Sequence, residues 1–170
     1  MRSIAVIAAI LGALLPAATP ASAADVSTQD REYLNRAHQS NLFEIVTGNL
    51  AERGECTRVR QLGPRFAAHH TELDADLVAV ATRVAVPLYS VPEADQLGQI
   101  TDLASRSGPD FDAAWLRDQF AAHVRAIELG EREQRIGWSP EVKSLAARSE
   151  PVLRHHLEEV QEAAAECTPG

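Results

Sequence analysis

The sequence has no surplus of basic residues: 16 Lys and Arg stand against 24 Asp and Glu, for a formal net charge of −8 at pH 7. An acidic chain is poorly suited to bind nucleic acid or an anionic membrane surface, so we expect neither partner. Beyond the N-terminal segment, no apolar run approaches the roughly 20 residues that a membrane-spanning helix needs. We therefore expect no transmembrane segment in the mature chain. Nothing in the sequence identifies a protein partner or an oligomeric state.

The one long apolar run lies at the N-terminus, between Ile4 and Leu15. It follows a basic residue, Arg2, and precedes the small-residue tripeptide Ala21-Ser22-Ala23. This order is typical of a cleaved secretory signal. A membrane anchor is the alternative, but the run is short for that role. We predict a signal peptide over residues 1–23, a single domain over residues 24–170, and a secreted or extracytoplasmic location (periplasm, cell wall or extracellular).

Cysteine and aromatic residues are also scarce. Aromatic residues make up 5% of the chain, and the cysteines are limited to Cys56 and Cys167. An even pair of cysteines in an exported chain predicts a disulfide, with two free thiols as the alternative.

No segment alternates between apolar and polar residues at the period of two that indicates a β-strand. Four long segments instead repeat apolar residues at helical spacing, which predicts an all-α, four-helix bundle. Gly63-Pro64 should interrupt the second helix, giving a kink or a later start, because proline removes a backbone donor. The predicted long helices begin near Ser27 or Thr28, near Thr57 or Pro64, after Ser107, and after Ser139, with a short helix from Glu93 to about Arg106.

The connection between the second and third long helices is itself long, about 25 residues from Val84 to Gly108. A helix of about 27 residues is near 40 Å long, and this connector can return along that length. We therefore predict the long crossover of a ferritin-like bundle. A disulfide between Cys56 and Cys167 would require it, because only a crossover brings those two positions to the same end.

Each predicted long helix carries one metal-capable residue near its middle, on or beside the apolar stripe: Glu44, His70, His123 and His156. Their depths along the bundle agree within about 8 Å at 1.5 Å per residue. Three imidazoles and a carboxylate at one level suit a single divalent transition metal, namely zinc, iron, copper or manganese. The alternative is a buried polar layer without metal. His69, Asp74 and His155 are candidates to support these ligands from outside, and the alternative for the two histidines is a surface or boundary position.

The chain lacks the carboxylates that ferritin-like di-iron chemistry needs. Those sites place a Glu three residues before the histidine on two helices, and here the positions hold Ala67 and Leu153. We therefore disfavour an oxidase, assign no catalytic residue and favour a non-enzymatic role. The predicted function is metal sequestration or envelope stress response. The alternative is a structural or interaction module of the envelope.

Four groups of residues resemble domain-of-unknown-function family 4142, a ferritin-like family of bacterial envelope proteins. They are Tyr33-Leu-x-x-Ala37 with Glu44-Ile-x-x-Gly48-x-Leu-Ala51; His70-Thr71; Ser107-Gly108-x-x-Phe111-Asp112-x-x-Trp115-Leu followed by His123; and Pro151-x-Leu153-x-x-His156-Leu. The resemblance covers about residues 30–165 and implies a ferritin-like fold and export. It implies no activity. His69 stands where the family has an acid.

Overall fold

The computed structural model describes residues 26–167, and over that range the protein is all-helical, without a β-strand. This confirms the predicted all-α class. The five α-helices are α1 (Thr28–Asn49), α2 (Thr57–Arg83), α3 (Ala94–Ala104), α4 (Gly108–Ile136) and α5 (Pro140–Cys167), and a 3-10 turn, Leu50–Arg53, follows α1. None of these helices has the length and apolar content to cross a membrane. The predicted signal peptide, residues 1–23, lies outside the described residues.

The helices begin where the capping residues place them. Ser27 caps α1: its hydroxyl accepts from the Asp30 backbone N–H, and the Asp30 carboxylate accepts in return from the Ser27 N–H at 2.6 Å. This reciprocal pair satisfies two donors that a helix start leaves without partners. Gly108 begins α4 with a φ of +61°, a conformation that glycine adopts without strain.

The predicted later start at Pro64 is wrong, because α2 runs through Gly63-Pro64 from Thr57 to Arg83. The alternative, a kink at Pro64, stays a prediction. Pro64 costs the helix one backbone hydrogen bond. The flanking side chains Leu62 and Phe66 are fully buried, and their packing holds the helix across the gap. Gly63 lies there because α1 passes very close: a Cβ at this position would be 2.6 Å from the Gly48 carbonyl oxygen.

Contacts at the two ends define the directions of the four long helices. The disulfide between Cys56 and Cys167, with Cα atoms 5.7 Å apart, joins the start of α2 to the end of α5, and it agrees with the predicted pairing. An ion pair between Arg83 and Glu141 joins the end of α2 to the start of α5. These two helices are therefore antiparallel.

The helices α1 and α4 are antiparallel by the same test. The Trp115 indole N–H, near the start of α4, donates to the Thr47 carbonyl near the end of α1 at 3.1 Å. At the opposite end, Gln29 donates to Glu133 at 3.1 Å. The short helix α3 lies in the connection between α2 and α4 and packs on α1 and α4.

Two apolar clusters fill the core, one toward each end of the long helices. The cluster on the disulfide side includes Leu62, Phe66, Phe111, Trp115 and Val160, and the other includes Tyr33, Leu34, Leu77, Val80 and Leu145. Between these clusters along α2, α4 and α5 lie three buried histidines. The fold thus places a polar layer of buried histidines between two apolar clusters.

Candidate metal centre

Three histidines from three helices meet in the polar layer: His70 on α2, His123 on α4 and His156 on α5. The Nε2 atom of His123 lies 3.4 Å from His70 Nε2 and 3.2 Å from His156 Nδ1. One ligand nitrogen from each residue lies within 4.8 Å of the other two. No side chain of the three is more than 1% exposed. The structure thus brings together three of the four predicted ligands.

Hydrogen bonds on the outer nitrogens fix two of these rings. His70 Nδ1 lies 2.9 Å from the Asn41 side-chain oxygen, while the Asn41 amide nitrogen faces the Asp74 carboxylate. His123 Nδ1 lies 2.9 Å from the Gln119 backbone carbonyl. Both partner oxygens only accept, so the Nδ1 atoms carry the protons and each Nε2 directs a lone pair at the centre.

The third ring, His156, is held between two other rings. It stacks on Phe66 with centroids 4.1 Å apart and on His69 with centroids 5.1 Å apart. Its Nε2 lies 2.8 Å from His69 Nδ1. When His156 donates through Nε2 to His69, its Nδ1 adds a third lone pair at the centre.

In that tautomer of His156, three lone pairs converge without a proton between them and repel one another. A cation in their midst removes that repulsion, whereas moving a proton inward from His123 leaves its Nδ1 facing the Gln119 carbonyl without a hydrogen. Burial, together with the neighbouring rings, lowers the pKa of His70 well below its usual value. Burial likewise lowers the pKa of His123 to about 4. Both rings are therefore neutral near pH 7, which is the form that binds metal.

The Glu44 carboxylate lies beside the cluster, on a different side of His123 from the shared nitrogens. Its Oε1 is 3.9 Å from His123 Nδ1, and the residue is 1% exposed. Within residues 26–167, neither carboxylate oxygen has a hydrogen-bond partner of good geometry, although the Gln119 side chain is close enough to favour the ionised form. Burial dominates and raises the pKa of Glu44 to about 8. Ligation by Glu44 stays a prediction.

The three candidate second-shell residues have different surroundings. His69 contacts His156 directly, as described above. Asp74 reaches the cluster only through Asn41, and it also accepts from His38 Nδ1 at 2.6 Å. His155 is exposed and lies 3.7 Å from Glu159, so the structure does not bring it to the cluster.

The sequence pattern did not single out Asn41 and Gln119, which orient two of the three rings. Asn41 was visible as a polar residue on the apolar stripe of α1, one turn before Glu44. Gln119 acts through its backbone carbonyl, one turn before His123, and no side-chain pattern reveals such a role. An amide on an apolar stripe is thus a usable signal for an orienting residue.

The donor set suits one metal ion. Three neutral imidazole nitrogens are a donor set that suits zinc, and they also suit iron, copper or manganese. Ala67 and Leu153, where a di-iron site needs carboxylates, are buried apolar residues, and Ala67 packs against Gly48. The residues present therefore fit one metal ion better than two.

Two solved structures share this fold. A DUF305 fragment from Deinococcus radiodurans superimposes with a TM-score of 0.73 at 15% identity, covering 83% of this chain and 98% of its own. A DUF305 protein from Streptomyces coelicolor, whose name gives secretion as an inference, has a TM-score of 0.68 at 13% identity, covering 82% of this chain and 93% of its own. At these identities the likeness establishes the fold alone.

No curated protein matches the chain at a significant level. The profile of one family, described as a domain of unknown function (DUF4142), matches residues 15–163. That range includes the whole polar layer and most of the described helices. The chain therefore belongs to the DUF4142 family, as its motifs predict.

Proposed function

We propose that the protein is an exported helical-bundle protein that binds one transition metal ion through His70, His123 and His156. The observation that carries the proposal is the orientation of the three rings. Each has its outer nitrogen facing a hydrogen-bond partner, so the remaining nitrogens face one another. Second-shell partners of this kind are a regular feature of histidine metal sites.

Glu44 supplies the negative charge that such an ion needs. Three neutral imidazoles leave a divalent ion with its full charge inside an apolar core, which is costly. The Glu44 carboxylate next to His123 offsets that charge, either as the predicted fourth ligand or through space from the far side of the His123 ring. The ion in turn favours the ionised form of Glu44, whose pKa burial raises in its absence.

We also propose that the bundle has the ferritin-like connection, with a long crossover between α2 and α4. The antiparallel contacts of α1 with α4 and of α2 with α5 support it, as does the disulfide. Because α2 and α4 then run in the same direction, residues 84–107 must return along the bundle. The three histidines come from helices on both sides of this crossover.

An extracytoplasmic location fits this protein, and we propose metal sequestration or an envelope stress response as its role. The disulfide supports an oxidising compartment. The N-terminal pattern of residues 1–23 supports export. The Streptomyces coelicolor protein is named as secreted by inference, which supports the same location.

Elemental analysis tests the metal site directly. The wild type is purified without chelator or affinity tag, loaded separately with zinc, copper, iron and manganese, and compared with the His123→Ala variant. His155→Ala is the matched control, because it removes an exposed imidazole next to His156. We expect about one ion per chain in the wild type and in the control, and little or none in His123→Ala.

Absence of metal after all four loadings would reject the site and favour a structural or interaction module. The contacts that run from His69 through His156, His123 and His70 to Asn41 would then be a metal-free polar layer. A thermal-shift measurement separates the two cases. An ion that binds only the folded state raises the melting temperature with concentration, and a polar layer gives no such response.

A further inference from the structure

A surface groove of about 500 Å³ opens between α2 and α5, directly outside the histidine cluster. Its lining includes His69, Glu72, Asp76, Arg148, Val152 and His155. His69 is half-buried: it faces the groove, and its Nδ1 lies 2.8 Å from His156 Nε2. One side chain thus connects solvent with the buried centre.

The three proposed ligands are almost fully buried, so an ion needs a route to reach them. The two ring nitrogens of His156 face different histidines: Nε2 faces His69, and Nδ1 faces His123. An ion held first by His69 and His156 is therefore one ring away from the centre. To reach His123, the ion must pass from the Nε2 side of the His156 ring to its Nδ1 side.

A second cleft, of about 370 Å³, lies between α1, α3 and α4, and it suits a cation less well. Its lining contains three arginines and three acids, so the formal charges cancel: Arg36, Arg125, Arg132, Glu93, Asp95 and Glu128. None of the three cluster histidines lines it. A small inner cavity of about 30 Å³ lies between this cleft and His70. It meets His70 beside Asn41, which already occupies the outer ring nitrogen.

The groove carries charges that attract a cation. Glu72 and Asp76 are exposed and one turn apart on α2, so they share a face. Arg148 opposes them from α5, and its guanidinium donates to the Ser144 hydroxyl at 2.8 Å. Two carboxylates against one guanidinium leave the groove acidic, and such a surface raises the local concentration of cations.

We propose that a hydrated divalent cation enters and leaves through this groove, and that His69 is the transient ligand that passes it to His156. This inference rests on the proposed metal centre. It assigns uptake to a surface outside the three ligands. It also gives a chemical role to the imidazole that stands where the family has an acid.

The test compares two double variants with the same change in net charge. Glu72→Lys with Asp76→Lys reverses the groove charge, while Glu52→Lys with Glu166→Lys reverses two exposed acids that line neither the groove nor the second cleft. Zinc uptake is followed by stopped flow in competition with a chromophoric zinc indicator. We expect uptake about tenfold slower in the groove variant at low ionic strength, with near wild-type rates in the control. The difference should vanish near roughly 0.5 M salt, and stoichiometry should not change.

A third variant, His69→Leu, tests the transfer step without altering the groove charge. It should slow both uptake and release of zinc, whereas Gln161→Leu, at an exposed position of α5 outside the groove, should change neither. Equal uptake rates in both double variants, or wild-type kinetics in His69→Leu, would overturn the route while leaving the metal centre intact. A wild type that takes up no zinc would overturn the zinc centre itself, and the route with it.

Discussion

Substitution of Gly63 by alanine should destabilise the bundle, although alanine is the better helix former. The new Cβ would overlap Ala51 Cβ and lie 2.6 Å from the Gly48 carbonyl oxygen. Ordinary contact needs about 3.4 Å or more, so α1 and α2 must separate by close to 1 Å. Overpacking of this kind costs about 1–3 kcal/mol, and more where backbone must move.

The matched control is Gly130→Ala in α4, where a Cβ meets nothing within 4 Å. That change should stabilise the protein by up to about 1 kcal/mol, the difference in helix propensity between alanine and glycine. Gly63→Ala gains the same propensity, so we expect a net loss of about 2 kcal/mol. Urea unfolding followed by far-UV circular dichroism measures both variants, and the melting temperature of Gly63→Ala should fall by roughly 5–10 °C.

The same separation should reach the histidine cluster. Asn41 on α1 orients His70 on α2, and their 2.9 Å contact depends on the spacing of these two helices. Gly63→Ala should therefore weaken metal binding as well as stability. A Gly63→Ala protein as stable as Gly130→Ala would refute the reasoning, because it would mean that α1 and α2 do not approach as closely as the structure indicates.

Three further predictions concern the disulfide, a buried carboxyl and the metal. Replacing Cys56 and Cys167 together by serine should lower the free energy of unfolding by about 4–5 kcal/mol, measured in urea, because the bond closes a loop with a sequence separation of 111. Burial is the main cause that raises the pKa of Glu133 from 4.5 to about 7, and the neighbouring Asp30 carboxyl is the second cause. The contribution of Glu133 to stability is therefore complete below pH 4.5 and lost as the pH rises through 7. Glu133→Gln should remove on the order of 2 kcal/mol of this pH dependence, and an unchanged profile would contradict the assignment. Asn41→Ala should weaken zinc affinity about 10–100-fold in a competition titration while the stoichiometry stays at one; unchanged affinity would exclude its orienting role.

Periodicity was sufficient to place the histidines in the core, because burial follows helical spacing. His70 shares a stripe with Phe66 and Leu77, and all three are buried, while the neighbouring His69 is half-exposed. The same reasoning placed His123 and His156 at the same level of the bundle. The number of residues from the end of a helix gives the position of a side chain along the bundle axis. That position was sufficient to predict that the three histidines share one level.

The orientation of side chains about that level could not be predicted. Glu44 and Asn41 lie one turn apart on α1, and both were compatible with the stripe. Only the rotation of α1 against α2 decides that Asn41 reaches His70 while Glu44 lies beside His123. That rotation depends on tight packing at Gly48 and Gly63, a long-range contact that local sequence does not encode.

Pro64 illustrates the opposite limit, because the local signal allowed a helix start at Pro64 and α2 instead starts at Thr57. Proline disfavours helix interior positions by about 3 kcal/mol. The fully buried side chains of Val59, Leu62 and Phe66 lie on both sides of it, and each is worth about 1.5–3 kcal/mol. Tertiary packing therefore outweighs the local preference, and α2 continues.

The disulfide has a consequence for proteolysis. It closes residues 56–167 into a covalent ring that contains α2, α3, α4 and α5, with the three proposed histidine ligands inside it. A single cut by a protease anywhere in that ring, for example in the exposed stretch around Tyr89 and Val91, leaves one covalently linked molecule. α1 lies outside the ring, so a cut after it frees the segment that carries Glu44 and Asn41. In an environment rich in proteases, one cut inside the ring leaves the three histidines in one covalently linked molecule. After a cut that follows α1, the Glu44 carboxylate stays beside them only while α1 remains packed on the bundle.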